Sequence, residues 1–160
     1  MFIRKMIYLE DHKTVQWSKL KKNVESFLCE SLKERVELFT TWYKDGGSPE
    51  RACGVILVDK KEVFTANTDQ WICLSREKSR EDLLKSGIFE ENEFRNSLKE
   101  YLHLSIDDAL GSDNIIVRAL ALVDRRVGKR KLHKIKMLGD EHEFIKFMYK
   151  LRCQADGIEL

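Results

Sequence analysis

The spacing of apolar residues changes twice along this chain, and no other feature constrains its fold as strongly. Trp17, Leu20, Val24, Phe27, Leu28 and Leu32 recur at intervals of three and four, with Lys19, Lys21, Lys22, Glu25 and Lys33 between them. That spacing predicts an amphipathic helix over Trp17–Val36, with Ser18 as its N-cap. From Val36 the period falls to two. Val36-Glu-Leu-Phe-Thr-Thr-Trp-Tyr and Ala52-Cys-Gly-Val-Ile-Leu-Val, rich in β-branched and aromatic residues, predict two strands. The segment between them, Lys44-Asp-Gly-Gly-Ser-Pro-Glu, is a strong loop signal, so the strands are expected to form an antiparallel hairpin. Asp59-Lys-Lys-Glu is expected to turn, leaving Val63–Ala66 as a third strand or a short helix. Trp71–Leu74 fits either state.

Helical spacing returns after Ser79. Ser79-Arg-Glu-Asp and Ser105-Ile-Asp-Asp resemble capping boxes, with Asp in the acidic position. Phe94, Leu98, Tyr101 and Leu102 make one apolar stripe. Ile116, Ala119, Leu120, Val123 and Val127 make another, which Gly128 is expected to end. Asp140-Glu-His-Glu predicts the start of a last helix carrying Phe144, Phe147, Met148, Leu151 and Ala155, stopped at Gly157. Only Pro49 represents proline, where average usage predicts roughly eight, which favours long regular elements. The expected fold is therefore α+β: a leading amphipathic helix, a small antiparallel sheet of two to four strands, and a helical C-terminal half. Residues 1–16 read as an N-terminal extension and 17–160 as a single domain.

A net charge of +2 conceals a polarised chain. Between Ile115 and Met137 stand eight Lys or Arg residues against Asp124 alone, a net +7, while the other 21 basic and 26 acidic residues give −5. Arg125, Arg126, Lys129, Arg130, Lys131 and Lys134 are the candidate partner- or anion-binding residues. Clustered cations neutralise phosphates and release counterions, so nucleic acid is one candidate partner. The cluster has no interleaved aromatics for base stacking and no helix-turn-helix or RNA-recognition signature. An acidic protein partner suits it equally. So does a purely structural role, cations at a helix C-terminus with Leu132 and Ile135 facing the core.

Strand alternation puts Phe39 and Tyr43 on the face opposite Leu38 and Trp42, which marks Phe39 and Tyr43 as candidate interface residues and raises the expectation of a homodimer. No active-site constellation is present. His12, His103, His133 and His142 lie outside any metalloprotease or nucleophile motif, and Asp45-Gly-Gly-Ser lacks the lysine of a P-loop. The carboxylates beside His142 are explained by helix capping. Cys29, Cys53, Cys73 and Cys153 are scattered without metal-ligand spacing, a pattern of reduced thiols in a cytoplasmic protein. No cofactor and no metal are expected. There is no apolar run of about 18 residues, so no membrane partner is expected either.

Two blocks carry a resemblance. Trp17-Ser-Lys-Leu-Lys-Lys with Phe27-Leu-Cys-Glu-Ser-Leu-Lys-Glu-Arg-Val, and Tyr101-Leu-His-Leu-Ser-Ile-Asp-Asp-Ala-Leu with Arg118-Ala-Leu-Ala-Leu-Val-Asp-Arg-Arg-Val-Gly-Lys-Arg, look like an uncharacterised family of small bacterial hypothetical proteins. The resemblance spans most of Trp17–Gly157. It implies a start near Trp17, a proline where this chain has Ile115, and an accessory-gene setting of the mobile-element kind; it implies no activity. The expected function is that of a small non-enzymatic binding protein acting through a protein partner, immunity-like or antitoxin-like, with sequence-tolerant nucleic-acid binding as the alternative.

Overall fold

A computed structural model describes residues 17–41, 52–137 and 139–160. Among them the chain forms helix α1 (17–25), a 3-10 turn (Glu30–Leu32), strands β1 (Val36–Thr41), β2 (Cys53–Val58) and β3 (Lys61–Asn67), and helices α2 (Thr68–Leu74), α3 (Arg80–Lys85), α4 (Glu91–His103), α5 (Ile106–Leu110), α6 (Ile115–Leu122), α7 (Lys129–Lys134) and α8 (Glu143–Ala155). The α+β class and the helical C-terminal half are as expected. The extension Met1–Gln16, the loop Lys44–Glu50 and the aromatics Trp42 and Tyr43 lie outside the described residues.

The sheet is antiparallel in the order β1-β2-β3. Asp59 and Lys60 make its tight turn with φ of 51° and 67°, the left-handed pair that a two-residue hairpin matched to strand twist requires. Val63–Ala66 is thus strand, lengthened at both ends to Lys61–Asn67. Thr68–Leu74 is helix because Asn67 caps it, its side chain accepting from Gln70 N at 3.1 Å.

One sheet face, with Val36, Leu38, Ile56, Val58, Phe64 and Ala66, is buried against the helices. At the centre lies α6, in which every residue but Arg118 is buried, as in a helix apolar all round. It packs against α4, α5 and α8. Asn114 starts it by accepting from Ile116 N (3.0 Å) and Val117 N (3.3 Å), while donating to Ser97 Oγ on α4 at 2.9 Å. Ile115 is the first residue of α6, a position that tolerates proline, so a proline-bearing relative would start its helix at the same place.

Three expectations need correction. Helix α1 stops at residue 25 rather than reaching Val36, and Ser18 lies inside it. The chain leaves the helix because residues 27–29 pair with residues 123–125: Cys29 N donates to Val123 O at 2.9 Å and Arg125 N to Phe27 O at 2.8 Å. The second helix likewise ends at Leu122, so Gly128 does not terminate it but precedes the first residue of α7.

Helix α1 also closes the outer edge of β1. Glu25 accepts from Leu38 N at 2.9 Å, Lys21 donates to Leu38 O, and Lys21 and Glu25 pair with each other at 3.1 Å. The occupied N–H and C=O of Leu38 are therefore not available to pair with another strand.

Gly54 on β2 is set by packing against α4. A Cβ there would lie 2.3 Å from Cδ1 of Phe94, a ring with no exposed surface. Gly54→Ala is expected to lose about 1–3 kcal/mol from overpacking. Urea unfolding checks this, and recovery in a Gly54→Ala, Phe94→Leu double variant assigns the loss to the ring. Stability equal to wild type would mean that Phe94 has room to move.

Candidate functional site: a cationic face on a buried polar frame

The loop from Val123 to Gly128 joins buried α6 to exposed α7, and a polar frame holds it from below. Asp124 has no exposed surface. Its Oδ1 accepts from Arg126 N at 2.7 Å, and its carboxylate takes the Arg126 guanidinium at 2.7–3.1 Å. The Tyr101 hydroxyl of α4 donates to Oδ2. Burial, followed by the hydrogen bond to Asp124, pushes the Tyr101 hydroxyl well above its ordinary range, so it stays protonated and donates. The hydrogen bond with Asp124 raises Arg126, which keeps its charge.

Arg152, on α8 and also buried, supplies the second half of the frame. Its guanidinium donates to Asp124 O (2.8 Å), Val127 O (2.7 Å) and Leu122 O (3.4 Å), and its Nε donates to Asp156 Oδ2 at 2.7 Å. Asp156 in turn accepts from Ser31 Oγ at 2.8 Å. Two acids and two bases meet here and balance one another, Arg126 reaching the surface and Asp124, Arg152 and Asp156 buried or half-buried. Such an arrangement holds a backbone shape, and it offers no unsatisfied acid, base or nucleophile for chemistry.

Helix α7 rests on a small separate core of Val127, Leu132, Cys153 and Ile158. Tyr149 of α8 holds it from beneath, its hydroxyl lying 3.2 Å from Leu132 O and 3.4 Å from Ile135 O. Lys131 is ion-paired with Asp107 of α5. With Leu132 pointing inward, Lys129, Arg130, His133 and Lys134 fall on the outer side of the helix at i, i+1, i+4 and i+5, and all four are exposed.

The structure therefore divides the six candidate cations. Arg126 and Lys131 are engaged by Asp124 and Asp107. Arg125, Lys129, Arg130 and Lys134 are exposed, without an ion pair among the described residues. Arg118, a seventh cation of the polarised region, is joined to Glu141: Oε1 accepts from Nη1 at 2.9 Å, and Oε2 lies 2.8 Å from Nη2 without a hydrogen-bonding angle. His142 does capping work, its Nδ1 accepting from Phe144 N at 3.1 Å. Of the candidate interface residues, Phe39 is 50% exposed on the outer sheet face while Leu38 is buried. Tyr43 lies outside the described residues.

Sequence reading passed over Tyr101 as a polar group, and over Arg152, Asp156 and Ser31 altogether. One signal was present: Arg152 stands four residues after Met148, on the apolar side of α8, where a cation must find buried partners. Asp156, four residues further on, is one of them.

Among the described residues no group of three or more His, Cys, Asp or Glu is arranged to hold a metal ion. No helix there is long and apolar enough to cross a membrane. Cys29, Cys73 and Cys153 are free thiols, Cys29 and Cys153 buried. Fold and site together define an α+β protein presenting an exposed cationic helix face on a rigid, internally neutralised frame. Residues 16–153 match the model of the SF0329 protein family, and the chain belongs to that family. No curated protein and no solved structure matches it significantly.

Proposed function

We propose that this protein is a non-enzymatic binding protein that acts through a protein partner, and that the partner docks on the outer face of α7. One observation carries the reading. The cations of the polarised region sort into an engaged set, Arg118, Arg126 and Lys131, and an exposed set, Arg125, Lys129, Arg130, Lys134 and Lys136, of which Lys129, Arg130 and Lys134 share the outer face of α7. Cations held away from intramolecular carboxylates contribute little to folding, yet they steer an oppositely charged surface and select it over wrong partners. A fixed backbone beneath them lowers the ordering cost of binding. Free thiols at Cys29, Cys73 and Cys153 favour the cytoplasm as the setting.

Charge reversal at Lys129, Arg130 and Lys134 to Glu tests the proposal against a control with the same charge change at Lys19, Lys22 and Lys78. Partners retained on immobilised protein are eluted with salt and identified. Loss of an acidic protein partner in the α7 variant but not in the control is the expected result. Equal retention by both variants would dismiss the α7 face. Retention of DNA or RNA in place of protein, lost in the α7 variant, would favour nucleic-acid binding, whose affinity falls steeply with salt.

A further inference from the structure

We infer that Arg125 is the anchor of this face and that its ligand is a carboxylate of an acidic protein segment. The inference rests on the reading above and names the chemistry of the partner. Arg125 follows Asp124 directly, and its backbone is held twice over: its N–H donates to Phe27 O at 2.8 Å, and the carbonyl before it accepts from Arg152. Its guanidinium lies 5.5 Å from the centre of the Phe27 ring, which the Arg126 guanidinium approaches at 4.5 Å. Phe27 in turn packs edge-on against Tyr101 at 6.3 Å.

The two arginines therefore share one aromatic support but differ in their charge partners. Arg126 is spent on Asp124, whereas Arg125 is exposed with no carboxylate partner among the described residues. An arginine stacked on a ring presents its fork of N–H donors with little rotamer freedom left to lose, the state in which bidentate recognition is strongest. Arginines of this kind recur among the few residues that dominate interface energetics.

Two observations favour a carboxylate over a nucleic-acid backbone. The Phe27 ring is covered by guanidinium groups, and the outer face of α7 carries no Phe, Tyr or Trp for a base to stack on. The cationic face is also bounded: Asp107 of α5 stands beside Lys131, and Asp156 lies beside Ser31 and Arg152. A phosphate chain, with a charge every few ångströms, would run past the cations onto these carboxylates. A short acidic segment ends before it meets them.

Binding of a short fluorescent poly-glutamate peptide, and separately of a short DNA duplex, to the full chain at low salt tests the inference. The expected result is that Arg125→Ala and Arg125→Lys each weaken peptide binding at least about tenfold, since lysine keeps the charge but not the fork. Phe27→Leu, which keeps Arg125 and removes its support, is expected to weaken binding as well. Thermal unfolding by circular dichroism confirms that each variant is folded. Peptide binding by Arg125→Lys equal to wild type overturns the inference, as does a duplex bound more tightly than the peptide. If Arg125→Lys is silent while the Lys129, Arg130 and Lys134 reversal abolishes binding, the α7 reading stands and the anchor falls.

Discussion

Asp124→Ala is expected to destabilise the protein by about 3 kcal/mol, since a buried carboxylate that accepts from three donors is lost and the buried Tyr101 hydroxyl is left without an acceptor. The carboxylate has no exposed surface and serves the Arg126 guanidinium, the Arg126 N–H and the Tyr101 hydroxyl together. Tyr101 is itself only 2% exposed, so its hydroxyl cannot turn to water when its acceptor is gone. Arg126 can, since about a third of its side chain is accessible. Most of the loss should therefore come from the stranded tyrosine and the freed loop rather than from the arginine. Urea unfolding of Asp124→Ala in wild-type and Tyr101→Phe backgrounds separates these terms, because removing the hydroxyl first reduces what the second change can cost. A loss below about 1 kcal/mol in the wild-type background would mean that Asp124 is replaceable and that the frame does not hold the loop.

The second large effect is expected at Arg152. Replacement by methionine preserves much of the side chain's bulk while deleting its donors to Asp124 O, Val127 O and Leu122 O and the pair with Asp156. Unsatisfied buried carbonyls and a half-buried unpaired carboxylate together are expected to cost about 3–5 kcal/mol. The loss should also depend on pH. Burial pushes the Asp156 carboxyl up, but the hydrogen bonds from Arg152 and Ser31 outweigh it and hold the group below its ordinary value of 3.8. A carboxyl depressed in the folded state adds stability above its unfolded pKa and loses that stability as pH falls through the folded value. The gap between wild type and Arg152→Met should thus be widest near neutrality and narrow below about pH 4. Unfolding midpoints across an acid series check it; a gap that stays constant to the lowest pH would show that Asp156 gains nothing from Arg152.

Much of the fold was legible because its signals act over a few residues. Ser79 and Ser105 cap α3 and α5 through Asp82 N and Asp108 N, each at 3.2 Å, as the spacing of the polar residues predicted. Period-two alternation put Leu38 and Phe39 on opposite faces, and the fold buries the first and exposes the second. The same reasoning overran at Phe27, Leu28 and Leu32. Their spacing suits a helix, yet the backbone there bonds to residues 123–125, and no local rule registers a partner almost a hundred residues away.

The candidate site was legible only as an excess of charge. Arg125 and Arg126 are identical as neighbours in a sequence, and the fold separates them by giving Asp124 to one and leaving the other exposed. Lys131 and Lys129 part in the same way, through Asp107. Several of the pairs that do this sorting or build the frame join residues 23 to 28 positions apart: Tyr101 with Asp124, Arg118 with Glu141, Lys131 with Asp107, and Arg152 with the Asp124 carbonyl.

By itself the sequence determined the α+β class, the caps of α3 and α5, the alternation of the strand faces and the place along the chain where positive charge collects, since each follows from periodicity or hydrogen bonding within about one helical turn. Only the tertiary structure decided where α1 ends, which buried groups hold the Val123–Gly128 loop, and which cations remain for a partner. An ion pair forms where packing brings opposite charges within a few ångströms, and for these residues that proximity exists only in the folded chain.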